Sequence, residues 1–380
     1  MLKIFLTGDN HIGENKANTK LHDNRINVFT NMVDKANEEK CDVFVIAGDL
    51  FDDNSVKKKE LINVLNILKK FNGTVVLLPG NHDYYDIDSE LWGNFNEIKN
   101  EYKNVLLLNE YREYSIKCND CDVLLYPALC KSKHPNPGEN NLGWIKKLNL
   151  DKTSGIRIGI AHGAIDGETY DTEEGDYFKM TRDELNGLPI DLWLIGHTHV
   201  PFPKTMSEKY ESTKETIFNA GTHVQEDVSR DTDGYCFIIE LDGNKNVKAK
   251  KFMSGNLFYK RITINVKPGE LESKLNRELK KYKDNTKIDL RLNGRVDIEE
   301  YDNKEELIES ELKRFNEELK KFDDSCTYST LNLNKVIDQK YINSKYPETS
   351  IYAKLLTALL GDPKETQMAD ELLDTLREEK

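Results

Sequence analysis

An α/β fold is predicted by three features of the sequence. Five short apolar runs of strand length stand in the first half, at residues 2–6, 43–47, 75–78, 156–161 and 192–195. Amphipathic helical segments fill the first two intervals, and a glycine-containing step closes every run. Phe29, Met32, Val33 and Ala36 recur at i, i+3, i+4, i+7 between the first two runs, and Leu61, Val64, Leu65 and Leu68 repeat that spacing in the next interval. Strand and helix in alternation imply βαβ units, a mainly parallel sheet and helices packed on its faces. From about Ile217 the pattern turns to strands. Residues 235–241 and 247–252 flank Asp242-Gly243-Asn244, a hairpin signal, and this piece is expected to complete a second sheet.

After Ser254-Gly255-Asn256 the pattern changes again. Ile262, Ile264 and Val266 alternate, Leu271, Leu275 and Leu279 follow at helical spacing, and Ile288, Leu290 and Leu292 alternate once more, which predicts a separate small β-α-β module. Ile308, Leu312, Phe315, Leu319 and Phe322 predict a long helix docked on that module, since fewer than three heptads rarely sustain a coiled coil. Ile351, Leu355 and Leu359, a Gly361-Asp362-Pro363 break, and Met368, Leu372 and Leu376 read as a terminal helical hairpin that either folds back or docks a partner. The expected division is residues 1–255, a small α+β domain at 256–334, and a helical segment at 335–380.

Composition narrows the class. The chain has 380 residues, 38% hydrophobic and 32% charged, with a formal net charge of −13, which fits a multidomain globular protein. No apolar run approaches the roughly 20 residues needed to cross a bilayer, so no membrane partner is expected. Residues 2–6 are too short for a secretory h-region, and six cysteines without secretory features suit a reducing compartment; a cytoplasmic location is expected. Cys118 and Cys121 have CxxC spacing with Cys130 nearby, yet no second pair follows to complete a structural zinc site. The acidic surplus repels phosphate backbones at long range, and the lysines at 57, 58 and 59 and at 248, 250 and 251 read as solvated faces.

The chemistry lies at the ends of the five runs. Gly8-Asp9-Asn10-His11, Gly48-Asp49-Leu50-Phe51-Asp52, Asn81-His82-Asp83 after Gly80, His162 before Gly163, and Gly196-His197-Thr198-His199 each carry candidate metal ligands. Parallel strands place their carboxyl ends on one edge, so residues distant in sequence converge there. Five of the eight histidines sit in these turns, a concentration that isolated loop features do not explain. Carboxylate, amide oxygen and imidazole without thiolate suit manganese, iron or zinc at a catalytic site, and the donors suffice for two divalent ions. Asp49 is the natural bridge, because one carboxylate can share its charge between two cations. Paired ions supply hydroxide at neutral pH and clamp the oxygens of an in-line displacement at phosphorus, so phosphoester hydrolysis is the expected reaction.

In this order the motifs resemble those of the calcineurin-like metallophosphoesterase superfamily over about residues 1–225. The resemblance implies a two-sheet sandwich flanked by helices. It implies that Asp9, His11, Asp49 and His199 hold one ion, that Asp49, Asn81, His162 and His197 hold the other, and that His82 protonates the leaving oxygen or stabilises the charge developing there. Asp83 is expected to orient the His82 ring. Within the superfamily the closer resemblance is to DNA-repair nucleases, the bacterial SbcD type and its archaeal and eukaryotic counterparts. The string Ala47-Gly48-Asp49-Leu50-Phe51, the turn Asn219-Ala220-Gly221-Thr222, and a following module with Leu290-Arg291-Leu292-Asn293-Gly294 carry that likeness.

Such nucleases work with an SMC-like coiled-coil ATPase subunit, which they bind through helices beyond the cap, so the resemblance implies DNA and that ATPase as partners and leaves a homodimer open. The metal set with the cap module makes a manganese-dependent DNA nuclease the leading expectation. Asp52 stands where archaeal and eukaryotic relatives carry a histidine that positions the phosphate, which leaves exonuclease against endonuclease action undecided. Tyr84 replaces a common proline. The competing expectations are a small-molecule phosphodiesterase or phosphoprotein phosphatase of the same fold, and a scaffold without catalysis.

Overall fold

The computed structural model describes residues 1–13, 18–118, 121–136, 138–148, 155–169, 178–229 and 232–378. The chain divides into two compact units, Met1–Glu226 with Arg230–Leu257, and Asp227–Ser229 with Phe258–Lys380.

In chain order the first unit runs β1 (Leu2–Thr7), α1 (Thr19–Glu38), β2 (Val43–Ala47), α2 (Lys58–Leu68), β3 (Thr74–Leu78), α3 (Glu90–Ile98), β4 (Val105–Leu107), β5 (Tyr114–Cys118), β6 (Cys121–Ala128), β7 (Ile156–His162), α4 (Arg182–Asn186), β8 (Leu192–Gly196), β9 (Glu211–Thr213), β10 (Ile217–Asn219), β11 (Tyr235–Leu241) and β12 (Val247–Met253). One sheet has the order β4-β3-β2-β1-β11-β12-β9 and the other β10-β8-β7-β6-β5. All five strands expected from apolar runs form. They are shared between the sheets, β1 to β3 parallel in one and β7 and β8 parallel in the other. Ile4, Leu6, Val45 and Val76 face Val123, Ile158, Ile160 and Leu194 in the core between them. On the far side of the first sheet, Phe5, Phe44 and Ile46 pack against the predicted stripes of α1 and α2. On the far side of the second, Trp193 and Ile195 pack with Leu185 of α4. Burial of both faces explains why these strands read as continuous apolar runs.

The hairpin of β11 and β12 corrects one expectation. It joins the first sheet, with β11 antiparallel to β1 and Leu2 opposite Leu241, instead of completing the second. The cause is apolar character on both faces of β11. Phe237, Ile239 and Leu241 enter the core between the sheets, while Cys236 and Ile238 enter the cluster under α1, and only a place inside a covered sheet buries both sets.

The second unit runs β13 (Phe258–Val266), α5 (Leu271–Leu279), β14 (Thr286–Val296), α6 (Ile298–Asp302), α7 (Lys304–Leu319), β15 (Thr327–Lys335), α8 (Gln339–Lys345), α9 (Ile351–Leu359) and α10 (Pro363–Glu378). The expected β-α-β module is present, and Ile308, Leu312, Phe315 and Leu319 of α7 are buried. It also has a third parallel strand, β15, alongside β14. The sequence pattern misses β15 because it is a polar edge strand. A register shift between Arg291 and Asn293 accompanies it, and Leu331 is 92% exposed.

Residues 335–380 belong to this unit, and its main boundary falls between Leu257 and Phe258, so the three-way division expected from sequence becomes two units. A buried ion pair ties the tail in. Lys335 at the end of β15 lies 2.6 Å from Asp370 of α10, and the two side chains are 7% and 0% exposed. Tyr341 and Tyr346 donate hydroxyls to Asp370, Lys345 lies 3.1 Å away, and the Lys335 backbone N–H donates to Gln367 Oε1.

Removing one partner of a buried pair leaves the other charge uncompensated, which costs about 3–5 kcal/mol. Asp370→Asn is therefore expected to destabilise the second unit by that amount, read as faster amide exchange in β15 and α10 at equal urea. Unchanged exchange in β15 would show that the pair does not join the tail to the sheet.

Candidate metal centre

The ligand turns leave the two sheets at their shared carboxyl-end rim. Asp9 and His11 follow β1, Asp49 follows β2 and Asn81 follows β3, whereas His162 ends β7 and His197 and His199 follow β8. The His162 ring contacts the Ala47 carbonyl through Nδ1 at 2.9 Å, which brings the end of one sheet against the other. Gly48 makes that approach feasible: its φ is +92°, and a Cβ there would lie 2.0 Å from His162 Nδ1. A Cβ on Gly80 would likewise meet Asp49 Oδ1 at 2.2 Å.

Two donor sets result, and Asp49 belongs to both. In the first, His11 Nε2 and His199 Nε2 are 3.0 Å apart, His199 Nε2 is 3.8 Å from Asp9 Oδ1, and His11 Nε2 is 3.9 Å from Asp49 Oδ2. In the second, Asn81 Oδ1 lies 2.9 Å from His162 Nε2 and 3.0 Å from His197 Nδ1, and His162 Nε2 lies 3.1 Å from Asp49 Oδ2. Donors that share an ion at about 2.0–2.2 Å lie roughly 3 Å apart when adjacent and about 4 Å apart when opposite, so both sets have the spacing of ligands around a divalent cation. Asp9, His11, Asp49, Asn81, His162 and His197 are buried. Such a concentration of imidazole and carboxylate away from water is costly unless it is paired or coordinates a metal. The residues therefore fit two divalent ions.

The backbone is strained at these positions. Asp9, His11, Asp49, His197 and His199 all take positive φ, half of the ten described non-glycine residues that do so. Conformations of this kind cost about 1–3 kcal/mol each and persist where surrounding structure imposes them. Hydrogen bonds impose them here. The Asp9 and His11 N–H groups donate to the Gly48 and Asp49 carbonyls, the His197 N–H to the Asp9 carboxylate, and the His82 N–H to Asp49 Oδ1.

His82 and Asp83 occupy different surroundings. A nitrogen of the half-buried His82 ring lies within 4.8 Å of His11 and Asp49 donor atoms. The contact that orients this ring is the Asp52 carbonyl, 3.0 Å from His82 Nδ1, and not the Asp83 carboxylate as expected. Asp83 is buried and accepts from the Gly80 and Phe51 N–H groups, so it braces the two ligand loops. Burial together with the Asp49 charge pushes Asp83 up to about 7. The Asp52 side chain is 57% exposed and lies 3.5 Å from His11 Nδ1.

Two side chains absent from the motifs complete the surroundings. Glu226 Oε2 lies 2.9 Å from His199 Nδ1, and Arg25 of α1 donates to the His11 carbonyl at 3.2 Å. Neither follows an apolar run, so sequence spacing carries no signal for them. Of the remaining histidines, His223 is buried against Phe29, His22 is 3.2 Å from Glu60, and His134 is exposed. Cys118 and Cys121 face each other across β5 and β6, and none of the metal-ligand groups among the described residues contains a cysteine.

Charge within the centre has a definite pH dependence. For His11 and His162, burial opposes the imidazolium, but Asp52 and Asp49 for the first and Asp49 for the second prevail and push both up to about 9. Burial also works against the Asp49 carboxylate, yet His162 and His11 hold it below the usual carboxylate range. The raised histidines stabilise the ion-free fold fully below pH 6.5, and that contribution is lost as pH rises through about 9. Ion binding has the opposite sign, because it requires neutral rings and expels their protons, up to about tenfold in affinity per proton per pH unit. Between pH 6.5 and about 8.5, the apparent Mn2+ affinity should rise while the thermal stability of the ion-free protein falls. Affinity that is flat with pH would refute the protonation of these rings.

The chain is similar to known proteins over part of its length. An uncharacterized metallophosphoesterase of Helicobacter pylori strain J99 is 38% identical over 214 residues, which is 56% of this chain and 49% of that protein. The DNA double-strand break repair protein Mre11 of Saccharolobus solfataricus is 30% identical over 121 residues, 31% of each chain. The chain thus spans about half the length, or less, of these relatives. Among solved structures, TT1561 of Thermus thermophilus aligns with a TM-score of 0.38 at 10% identity, covering 65% of this chain and 97% of that one. The family model for calcineurin-like phosphoesterases matches residues 2–201, over half of the sequence and a range that contains the seven candidate ligands, and the chain belongs to that family.

Proposed function

We propose that this metal-dependent phosphoesterase is a DNA nuclease with a two-manganese centre, acting in DNA end processing and double-strand-break repair together with an SMC-like coiled-coil ATPase. The observation that carries the hydrolytic reading is the convergence of seven donor side chains in two sets around the Asp49 carboxylate. The partial likeness to a double-strand-break repair protein supports DNA as the substrate. Oxygen and imidazole donors without thiolate favour manganese, with iron and zinc as alternatives. Bound there, a pair of such ions lowers the pKa of a water and stabilises charge on the phosphoryl oxygens.

The side chains of this chain do the remainder. His82 donates its Nδ1–H to the Asp52 carbonyl, so as an imidazolium it would carry a second proton on Nε2 and give that one to the leaving oxygen, ending as the neutral Nδ1–H ring. Asp52 is the candidate for positioning the phosphate, by its exposure and its place beside His11. The second unit is the proposed DNA-contacting module. The ATPase would grip the terminal helices, where Ile351, Leu355, Met368, Leu372 and Leu376 are exposed while Ala353, Leu356 and Leu373 pack inward with Ile342 and Tyr346.

A second reading is favoured by the net charge of −13, which repels a polyanion and suits a small-molecule phosphodiesterase or phosphoprotein phosphatase. Lysines of both basic clusters are held by acids, Lys57 by Glu90, Lys58 by Glu97 and Lys250 by Glu39. Incubation with Mn2+ and duplex or single-stranded DNA, beside bis(p-nitrophenyl) phosphate, separates the readings. DNA cleavage is expected. Turnover of the small diester with intact DNA under every divalent ion would favour the second. Asp49→Asn should abolish cleavage, and His82→Asn should lower kcat by about 10²–10⁴ while the protein still binds both ions. Loss of ions in His82→Asn would place that ring among the ligands.

A further inference from the structure

We propose that Arg25 and Glu226 form a positioning pair for one ion of the centre, the one held by Asp9, His11 and His199, and leave the other ion unaffected. The inference rests on the two-ion reading above. His199 is part of the Gly196-His197-Thr198-His199 motif, but the partner of its second ring nitrogen lies 27 residues further on. Glu226 Oε2 accepts from His199 Nδ1 at 2.9 Å. That bond fixes the tautomer, so that the lone pair of Nε2 faces His11 Nε2 at 3.0 Å and Asp9 Oδ1 at 3.8 Å. A carboxylate behind an imidazole also raises its basicity as a ligand.

Arg25 connects this contact to the second histidine of the set. Its Nη2 lies 3.9 Å from Glu226 Oε1, and its Nη1 donates to the His11 carbonyl at 3.2 Å. His11 has φ of +44°, a conformation that needs external support, and the guanidinium on α1 provides it. One cation thus holds the backbone of His11 and the carboxylate behind His199. Arg25 and Glu226 are only 25% and 19% exposed, so solvent weakens the linkage less than it weakens a surface pair.

The other donor set is built differently. His162 Nδ1 meets a neutral backbone carbonyl, that of Ala47, at 2.9 Å, and Asn81 Oδ1 is shared between His162 and His197. Behind His162 there is thus a carbonyl dipole where His199 has a full carboxylate charge. The two ions therefore differ in what supports them, and removal of the Glu226 charge should act on one alone.

The test is Mn2+ titration of the full chain by equilibrium dialysis, with Glu226→Gln and Arg25→Met beside the parent protein and Asp49→Asn as the variant that disturbs both sets. Two ions are expected on the parent. Glu226→Gln keeps an acceptor oxygen and loses the charge. It should weaken one ion by about 10- to 100-fold and leave the other within about twofold. Arg25→Met should weaken the same ion by a smaller factor, and Glu226→Asp should recover part of the loss. With Co2+ in place of Mn2+, the visible absorption of Glu226→Gln should show loss of one of two components. Two ions of unchanged affinity in Glu226→Gln, or equal weakening of both ions in either folded variant, would overturn the inference. A parent protein that takes up no ion would instead reject the two-ion reading on which it rests.

Discussion

The contact between Asp49 Oδ2 and His162 Nε2, 3.1 Å long and buried, is the point at which the two sheets meet chemically. Asp49 leaves β2 of one sheet and His162 ends β7 of the other, so the centre exists only because the sandwich brings both carboxyl-end rims together. Everything around it serves that approach. Gly48 removes the Cβ that would strike His162, Gly80 removes the one that would strike Asp49, and Asp83 fastens the loops that carry them.

Crowding of this kind works against the stability of the fold. Seven donor groups, several with strained backbone, occupy space that leucines and valines would fill more favourably. The apolar core between the sheets and the helices packed on the first sheet supply the compensating burial. Within the centre the Asp49 carboxylate and the His11 and His162 rings favour one another's charged forms.

Much of this was legible in the amino-acid sequence, for a simple reason. A strand buried on both faces reads as an apolar run, and a residue just beyond such a run lies on the rim, so Asp9, Asp49, Asn81, His162, His197 and His199 could be located from spacing alone. The placement of the β11–β12 hairpin was not legible, because a strand apolar on both faces fits inside either covered sheet, and only tertiary packing selects the edge of β1. β15 was hidden by its polar edge position, and the orienting partner of His82 by the fact that a backbone carbonyl has no sequence identity. Glu226 and Arg25 belong to the same class, a loop acid and a helix cation whose meeting depends on tertiary geometry.

The way the terminal helices are fastened has a mechanical consequence. Lys335 closes the last strand of the three-stranded sheet and is clamped to Asp370 in the middle of the final helix, with Tyr341, Lys345 and Tyr346 around it. A load applied to that helix reaches the strand through a short ionic link, and no slack tether lies between them to absorb it. The final helix and the edge strand are thereby joined as one piece.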